Sequence, residues 1–297
     1  MFTSRTQRLS FAPKNSAHSK LLQKRRARLL LGFLFSSTIG LLAYRRRSLN
    51  RSGVASAIAT GTTTVSMGGW SWGLTLIFFF VSSSFFSHFH AQEKAATAED
   101  KFSKGGQRDL LQVMANGGVA TTLALGYGLT SEHKFQQTLQ AGYIGALATA
   151  TADTWATELG VLSSQTSRLI TTGKRTSPGT SGGITIAGTA ASAAGALALG
   201  TFFWLIRSGR RKHFTLPVIA LISGFLGSMF DSFLGATLQA MYFCPTCQKE
   251  TERRIHNCGN QTQLLRGLSW LNNDGVNFLS TIFGTLVAML LHLAGES

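Results

Sequence analysis

The chain of 297 residues carries 28 Lys and Arg against 12 Asp and Glu, a formal net charge of +16, yet only 13% of it is charged. A soluble globular domain holds about 25% charged residues, so half that share, with 21 Phe, 32 Gly and 4 Pro, argues against a water-soluble fold and points to lipid. The basic residues fall in short clusters between apolar runs, which argues against nucleic acid as a partner and fits anionic lipid headgroups.

Residues 1–28 hold eight basic residues, four Ser and no acid, ending in Lys24, Arg25, Arg26 and Arg28. This reads as a disordered basic tail or an Arg- and Ser-rich targeting segment. Residues 29–297 are expected to form a single multi-spanning membrane domain. Its apolar segments lie at 29–44, 53–67, 70–89, 113–130, 139–152, 184–206, 214–242 and 276–294. A membrane helix needs about 20 apolar residues, so the second and fifth segments, short and rich in Thr or Ala, are the weakest spans and leave a broken or re-entrant helix open. The fold class is all-α: a polytopic integral membrane helix bundle of about 6–8 transmembrane helices, in the endoplasmic reticulum or an organellar membrane. Gly, Ala, Ser and Thr within the apolar stretches suit close helix contacts.

If all eight segments cross, the polar stretches 45–52, 90–112, 153–183 and 243–275 share one membrane face, termed face A. It carries fifteen Lys and Arg against thirteen opposite, eight of which belong to the N-terminal tail. With that tail set aside, the positive-inside bias makes face A cytosolic or its organellar equivalent.

Four acids, Asp153, Glu158, Asp231 and Asp274, sit within or at the edge of apolar segments. A carboxylate near the middle of a membrane helix costs about 2.5–3.5 kcal/mol on insertion scales, so such residues usually face a polar cavity and bind an ion or a proton. The plainer alternative is a helix-end carboxylate in water or beside a basic neighbour. Asp153 and Glu158 are five residues apart, about 140° around a regular helix, so they share a ligand only if the helix breaks near Asp153 or the ligand is held from two sides.

The stretch from Arg168 to Gly183 carries Lys174, Arg175, Pro178, Gly179, Thr180, Gly182 and Gly183 directly before an apolar helix. Flexible glycines, two cations and a helix N-terminus resemble a phosphate cradle, although the Gly-Lys-Ser/Thr ending of a Walker A loop is absent and a flexible loop reads equally well. The loop from Lys104 through Arg108 and Asp109 leads to Asn116, adding cationic and amide donors. Arg45, Arg46, Arg47 and Arg51 read as a basic flank that can also hold phosphate oxygens. Gly224, Gly227, Ser228 and Gly235 flank Asp231 at packing distance along one helix. Asn272, Asn273, Asp274 and Asn277 open the last segment as a hard-cation site or a helix N-cap.

All three cysteines occur in one face-A loop, as Cys244-Pro-Thr-Cys247 followed by His256-Asn-Cys258. By type this is a complete tetrahedral zinc set, although the single residue between His256 and Cys258 strains a shared ion. Free thiols or a Cys244–Cys247 redox pair compete.

The blocks RRRSLNRSG, KGGQRDLLQVMANGG, ATADTWATELGVLS, RLITTGKRTSPGTSGGIT, GSMFDSFLGATLQ and LNNDGVNFLS, in this order, resemble the transmembrane protein 19 family, also known as domain of unknown function 92. The resemblance covers about Tyr44 to Leu290. That family includes a plant phytyl-phosphate kinase and is distantly similar to membrane CTP-dependent lipid kinases and cytidylyltransferases. The resemblance implies a phosphotransferase that uses a nucleoside triphosphate, CTP or ATP, and Mg²⁺ to convert a prenyl monophosphate drawn from the membrane lipid. Asp153, Glu158, Asp231 and Asp274 would then hold the metal or orient the acceptor, with Asn277 assisting. Lys174, Arg175, Gly179, Thr180, Gly182 and Gly183 would hold phosphates, with Arg108 and Asn116 next. The Cys/His loop departs from the plant pattern. From the residues alone, an ion-coupled transporter built on broken helices, or a non-catalytic scaffold, stays open.

Overall fold

The computed structural model describes residues 15–98, 106–207 and 215–295. Residues 1–14 of the basic tail, Lys104 and Gly105 of the loop before Arg108, and the linker at Arg210 lie outside the described residues. Every apolar segment coincides with a long helix: α1 (Asn15–Arg45), α2 (Arg51–Gly68), α3 (Trp70–His88), α5 (Leu110–Leu129), α6 (His133–Gly160), α7 (Ile186–Ile206), α8 (Thr215–Thr237) and α9 (Asn273–Ala294). A short helix, α4 (Ala91–Ala98), follows α3. Because α1 begins at Asn15, half of the segment expected to be a tail is helix.

Residues 26–45 of α1, together with α3, α7, α8 and α9, are long and apolar enough to cross a membrane. Helix α6 achieves little by lipid contact, because Leu139 through Ala152 are all buried inside the protein. It packs against α3, α5, α7, α8 and α9, which explains its small, weakly apolar sequence. A Cβ at Gly145 would stand 2.5 Å from the Gly284 carbonyl oxygen, and one at Gly224 would stand 2.7 Å from the Ala196 Cβ. These absent side chains let α9 and α7 approach α6 and α8 at backbone distance. Toward the start of α6, Tyr143 donates to the Trp72 carbonyl at 2.5 Å, and the two rings lie 4.2 Å apart.

Polar linkers start the helices of one end. The Asn50, Asp109, Thr185 and Asn272 side chains accept from backbone N–H groups of α2, α5, α7 and α9, and Gln112 returns the bond to Asp109 in a capping box. Each such cap contributes about 1 kcal/mol. The linkers also bind one another. Asn50 N–H donates to the Arg108 carbonyl and Arg108 N–H to the Ser48 carbonyl, both at 3.0 Å, which gathers 45–52 and 90–112 at one end as expected for face A.

The membrane body is all-helical, and five short strands lie in the face-A loops. Between α6 and α7, β1 (Arg168–Leu169) pairs antiparallel with β2 (Gly183–Ile184). Between α8 and α9, β3 (Met241–Cys244), β4 (Lys249–Thr251) and β5 (Gln263–Arg266) form an antiparallel sheet in the order β4-β3-β5.

Candidate active site

Three helices bring polar groups together just below face A. Asp153 of α6 and Asp231 of α8 lie beside each other, and the Ser280 hydroxyl of α9, which donates to the Val276 carbonyl at 2.9 Å, lies near Asp231. The Asn277 amide, one turn before Ser280, donates to Asp231 Oδ2 at 3.1 Å and to the Asn273 carbonyl at 3.3 Å. Both aspartates keep partial exposure. Adjacent carboxylates repel unless a proton or cation lies between them, and an all-oxygen set of this kind suits a hard cation such as Mg²⁺. Asn272 is the α9 cap and stands apart from this set, while Asp274 is buried in the first turn of α9.

Glu158 belongs to a different group. Helix α6 is unbroken from His133 to Gly160, so no break at Asp153 brings the two carboxylates together, and the five-residue spacing sends them to different sides. Glu158 pairs with Lys94 of α4 at 2.5 Å and accepts from the Ser87 hydroxyl at 2.6 Å. Lys94, itself buried, also donates to the Phe86 and Ser87 carbonyls. The charge of Glu158 reaches Arg108, where burial draws the guanidinium below its ordinary range and Glu158 opposes that shift.

Arg108 lines a partly open cleft between α1, α2, α3 and α5. Phe35, Ile39, Leu76 and Phe79 are among its apolar lining, and Ser36, Thr60, Arg108, Gln112, Asn116 and Thr154 supply its polar groups. The guanidinium carbon lies 5.8 Å from the Phe80 ring centroid. Its Nη1 is buried with no hydrogen-bond partner among the described residues. A buried cationic N–H without an acceptor costs several times an ordinary hydrogen bond. Thr154 follows Asp153 on α6, so the cleft and the carboxylate pair flank the same turn. Helices α5 and α9 touch where the Thr281 hydroxyl meets the Ala115 carbonyl at 3.3 Å, adjacent in sequence to Ser280 and Asn116.

The glycine loop lies over the α8 side of this turn. Gly182 has φ +81°, and a Cβ there would stand 2.4 Å from the Ala236 nitrogen, so only glycine lets the loop touch α8. Gly235, against which Gly182 also packs, is one helical turn beyond Asp231. Thr180 and Gly183 spend their backbone N–H groups on turns within the loop, to Ser177 and Thr180 carbonyls. Lys174 and Arg175 are exposed near its tip, where Gly173 has φ +66°. The second sheet clamps the loop from outside. Glu252 accepts from the Ser181 hydroxyl at 2.9 Å and from the Gln239 amide at 2.8 Å, while Arg266 donates to the Gly235 and Ser181 carbonyls at 2.8 and 3.1 Å. The charge of Glu252 is felt at Asp231.

Lys94, Gln239, Glu252, Arg266 and Ser280 did not emerge from the sequence. Their partners are distant in the chain and their types are ordinary for loops and helix ends; only the buried position of Ser280 one turn after Asn277 held a signal. Cys244, Cys247, His256 and Cys258 converge beyond β3, with one ligand atom from each within 4.8 Å of the others.

Lipid-crossing helices around a buried α6, with a carboxylate pair and an apolar cleft meeting under one face, define a polytopic integral membrane protein with a polar site at one surface. The chain belongs to the integral membrane protein family DUF92, whose model matches residues 34–285. It is 32% identical to Protein PGR of Arabidopsis thaliana over 89% of this chain and 96% of that protein. It is 28% identical to an uncharacterized membrane protein of Methanocaldococcus jannaschii over 89% of this chain and 94% of that protein. Protein VTE6, chloroplastic, of Arabidopsis thaliana is 26% identical over 82% of this chain and 65% of that protein. No solved structure matches the chain.

Proposed function

We propose that this protein is a membrane-embedded phosphotransferase that converts a prenyl monophosphate to its diphosphate with a nucleoside triphosphate. The observation that carries the reading is the cleft, lined by apolar side chains of α1, α2 and α3 and by Arg108, whose buried Nη1 has no hydrogen-bond partner among the described residues. An isoprenoid chain matches the apolar walls, and its phosphate matches Arg108 and Asn116. The resemblance to a family that includes a phytyl-phosphate kinase supports the same reading.

Asp153, Asp231 and Asn277 would hold Mg²⁺ under the loop, with Ser280 orienting Asp231 and Asp274 as a further carboxylate in the same region. Mg²⁺, when bound, neutralises phosphate oxygens and stabilises charge on the transferring group. Lys174, Arg175 and the segment from Gly179 to Gly183 would bind the nucleotide phosphates, CTP or ATP. A phosphate oxygen of the prenyl monophosphate attacks the γ-phosphorus. The bond from that phosphorus to the bridging oxygen breaks, and the nucleoside diphosphate leaves with that oxygen and its electron pair. The protein's part is positioning: Arg108 fixes the acceptor on one side of α6, and the carboxylate pair fixes the donor on the other. Glu158 is a positioning residue that holds Lys94 and faces Arg108.

Purified protein given prenyl monophosphate, labelled nucleotide and Mg²⁺ should form the labelled diphosphate. Uptake of an ion into liposomes that depends on Asp153 or Asp231, with no nucleotide consumed, would instead support a transporter.

A further inference from the structure

The sheet that clamps the glycine loop is small and is covered mainly at β3, where Met241, Tyr242 and Cys244 are buried. Its strands have four, three and four residues, and Ile255, Leu264 and Leu265 around it are 62%, 48% and 50% exposed. Sheets this small need a covered apolar face, or a cross-link, to persist in water. The far end of β3 carries groups able to form one. Cys244 closes that strand, Pro245 fixes the next backbone angle, and Gln248, at φ +54°, donates its N–H to the Cys244 carbonyl at 2.8 Å before β4 begins. The turn presents Cys244 and Cys247 on one side.

A second turn faces the first. Ile255 bridges to Gln261, His256 N–H donates to the Asn260 carbonyl at 2.9 Å, and Gly259, at φ +84°, returns its N–H to the His256 carbonyl at 2.9 Å. Asn260 stitches the two turns by donating to Thr246 Oγ1 at 3.0 Å. The single residue between His256 and Cys258, a strain by spacing alone, causes no conflict, because the tight turn directs Nδ1 and Sγ to the same side, 3.3 Å apart.

We propose that Cys244 Sγ, Cys247 Sγ, His256 Nδ1 and Cys258 Sγ bind one structural zinc ion that closes this sheet into a clip over the glycine loop. The three cysteines are free, and Cys244 Sγ lies 3.7 Å from Cys258 Sγ. A disulfide needs about 2.05 Å, whereas two sulfurs at about 2.3 Å from one tetrahedral zinc stand about 3.8 Å apart. The sulfur–nitrogen separation has the corresponding shorter edge. Soft thiolates with one imidazole select zinc over the hard cation suited to the carboxylates of the membrane site. Glu252 directly follows β4 and Arg266 ends β5, so the clip and the loop anchors at Ser181, Gln239 and Gly235 belong to one unit. The proposal stands on this geometry and does not rest on the phosphotransferase reading.

The test is zinc content of the full-length protein, purified in detergent without chelator, by elemental mass spectrometry. About one zinc per chain is expected, falling to background in C244S and in C247S. Cobalt substitution separates ligation from misfolding: the wild type should show the sulfur-to-cobalt charge-transfer and tetrahedral d–d bands, and H256A should lose or shift them. The three thiols should resist alkylation until a chelator is added, and trypsin should then cut at Arg253 or Arg254. Folded protein with no zinc and freely alkylated thiols would overturn the proposal. So would a Cys244–Cys247 or Cys244–Cys258 disulfide in the native protein, or zinc retained in full by both serine variants.

Discussion

In the proposed reaction Arg108 and Asp231 have different tasks, so their variants should fail differently. Arg108→Gln removes the charge-assisted bond expected at the acceptor phosphate, about 1.5–3 kcal/mol, so kcat/KM for the prenyl substrate should fall about 10- to 150-fold with the nucleotide KM little changed. Asp231→Asn removes a cation-holding carboxylate and should lower kcat by about 10²- to 10³-fold at saturating substrate. A kinetic assay that finds either variant at wild-type rates removes that residue from the site. Glu158 is different, because its bond to buried Lys94 is structural. Glu158→Gln leaves a buried ammonium unpaired and should cost about 3 kcal/mol, most of it recovered in E158Q with K94M, measured by thermal unfolding in detergent. The aspartates were legible in sequence because a carboxylate inside an apolar segment is costly and needs a reason. Lys94 was not, since its partner is 64 positions away and nothing local distinguishes it from any loop lysine.

At the scale of elements, the loop from Lys174 to Gly183 owes its place to contact with α8 more than to its own sequence. Gly182→Ala adds a Cβ against the Ala236 backbone at a positive φ. It should cost more than about 1 kcal/mol and lower turnover together, read by unfolding and by kinetics on the same preparation. Asn272→Ala removes the α9 cap and should cost about 1 kcal/mol. The helices were readable from their apolar runs, and α6 from its Ala, Gly and Thr, although the same composition suggested a broken segment. It is unbroken because five neighbouring helices, not lipid, surround it, so a weakly apolar sequence suffices. The strands escaped notice because pieces of two to four residues carry no readable alternation, and their pairing spans turns that only the folded loop defines. The cysteine loop was recognisable by ligand type, but convergence of its two arms depends on the Gly259 turn.

Over the whole molecule, the sidedness expected from the order of spans reappears as hydrogen bonds among the face-A linkers, from Arg108 to Ser48 and from Ser181 to Glu252. Cysteines introduced at Ser164, beside the glycine loop, and at Glu132, in the opposite linker, should be labelled by an impermeant maleimide from opposite sides of sealed membranes. Labelling of both from one side would break the eight-helix path. With the lipid cleft and the carboxylate pair on either side of one turn of α6, the central claim is that the bundle joins a membrane-held phosphate to a water-borne nucleotide. The most direct measurement is turnover by purified, folded protein offered prenyl monophosphates of several chain lengths with CTP or ATP and Mg²⁺. The account predicts a prenyl diphosphate product that disappears in Asp231→Asn and drops sharply in Arg108→Gln. No product from any prenyl monophosphate with either nucleotide, from protein whose folding is verified, would contradict it.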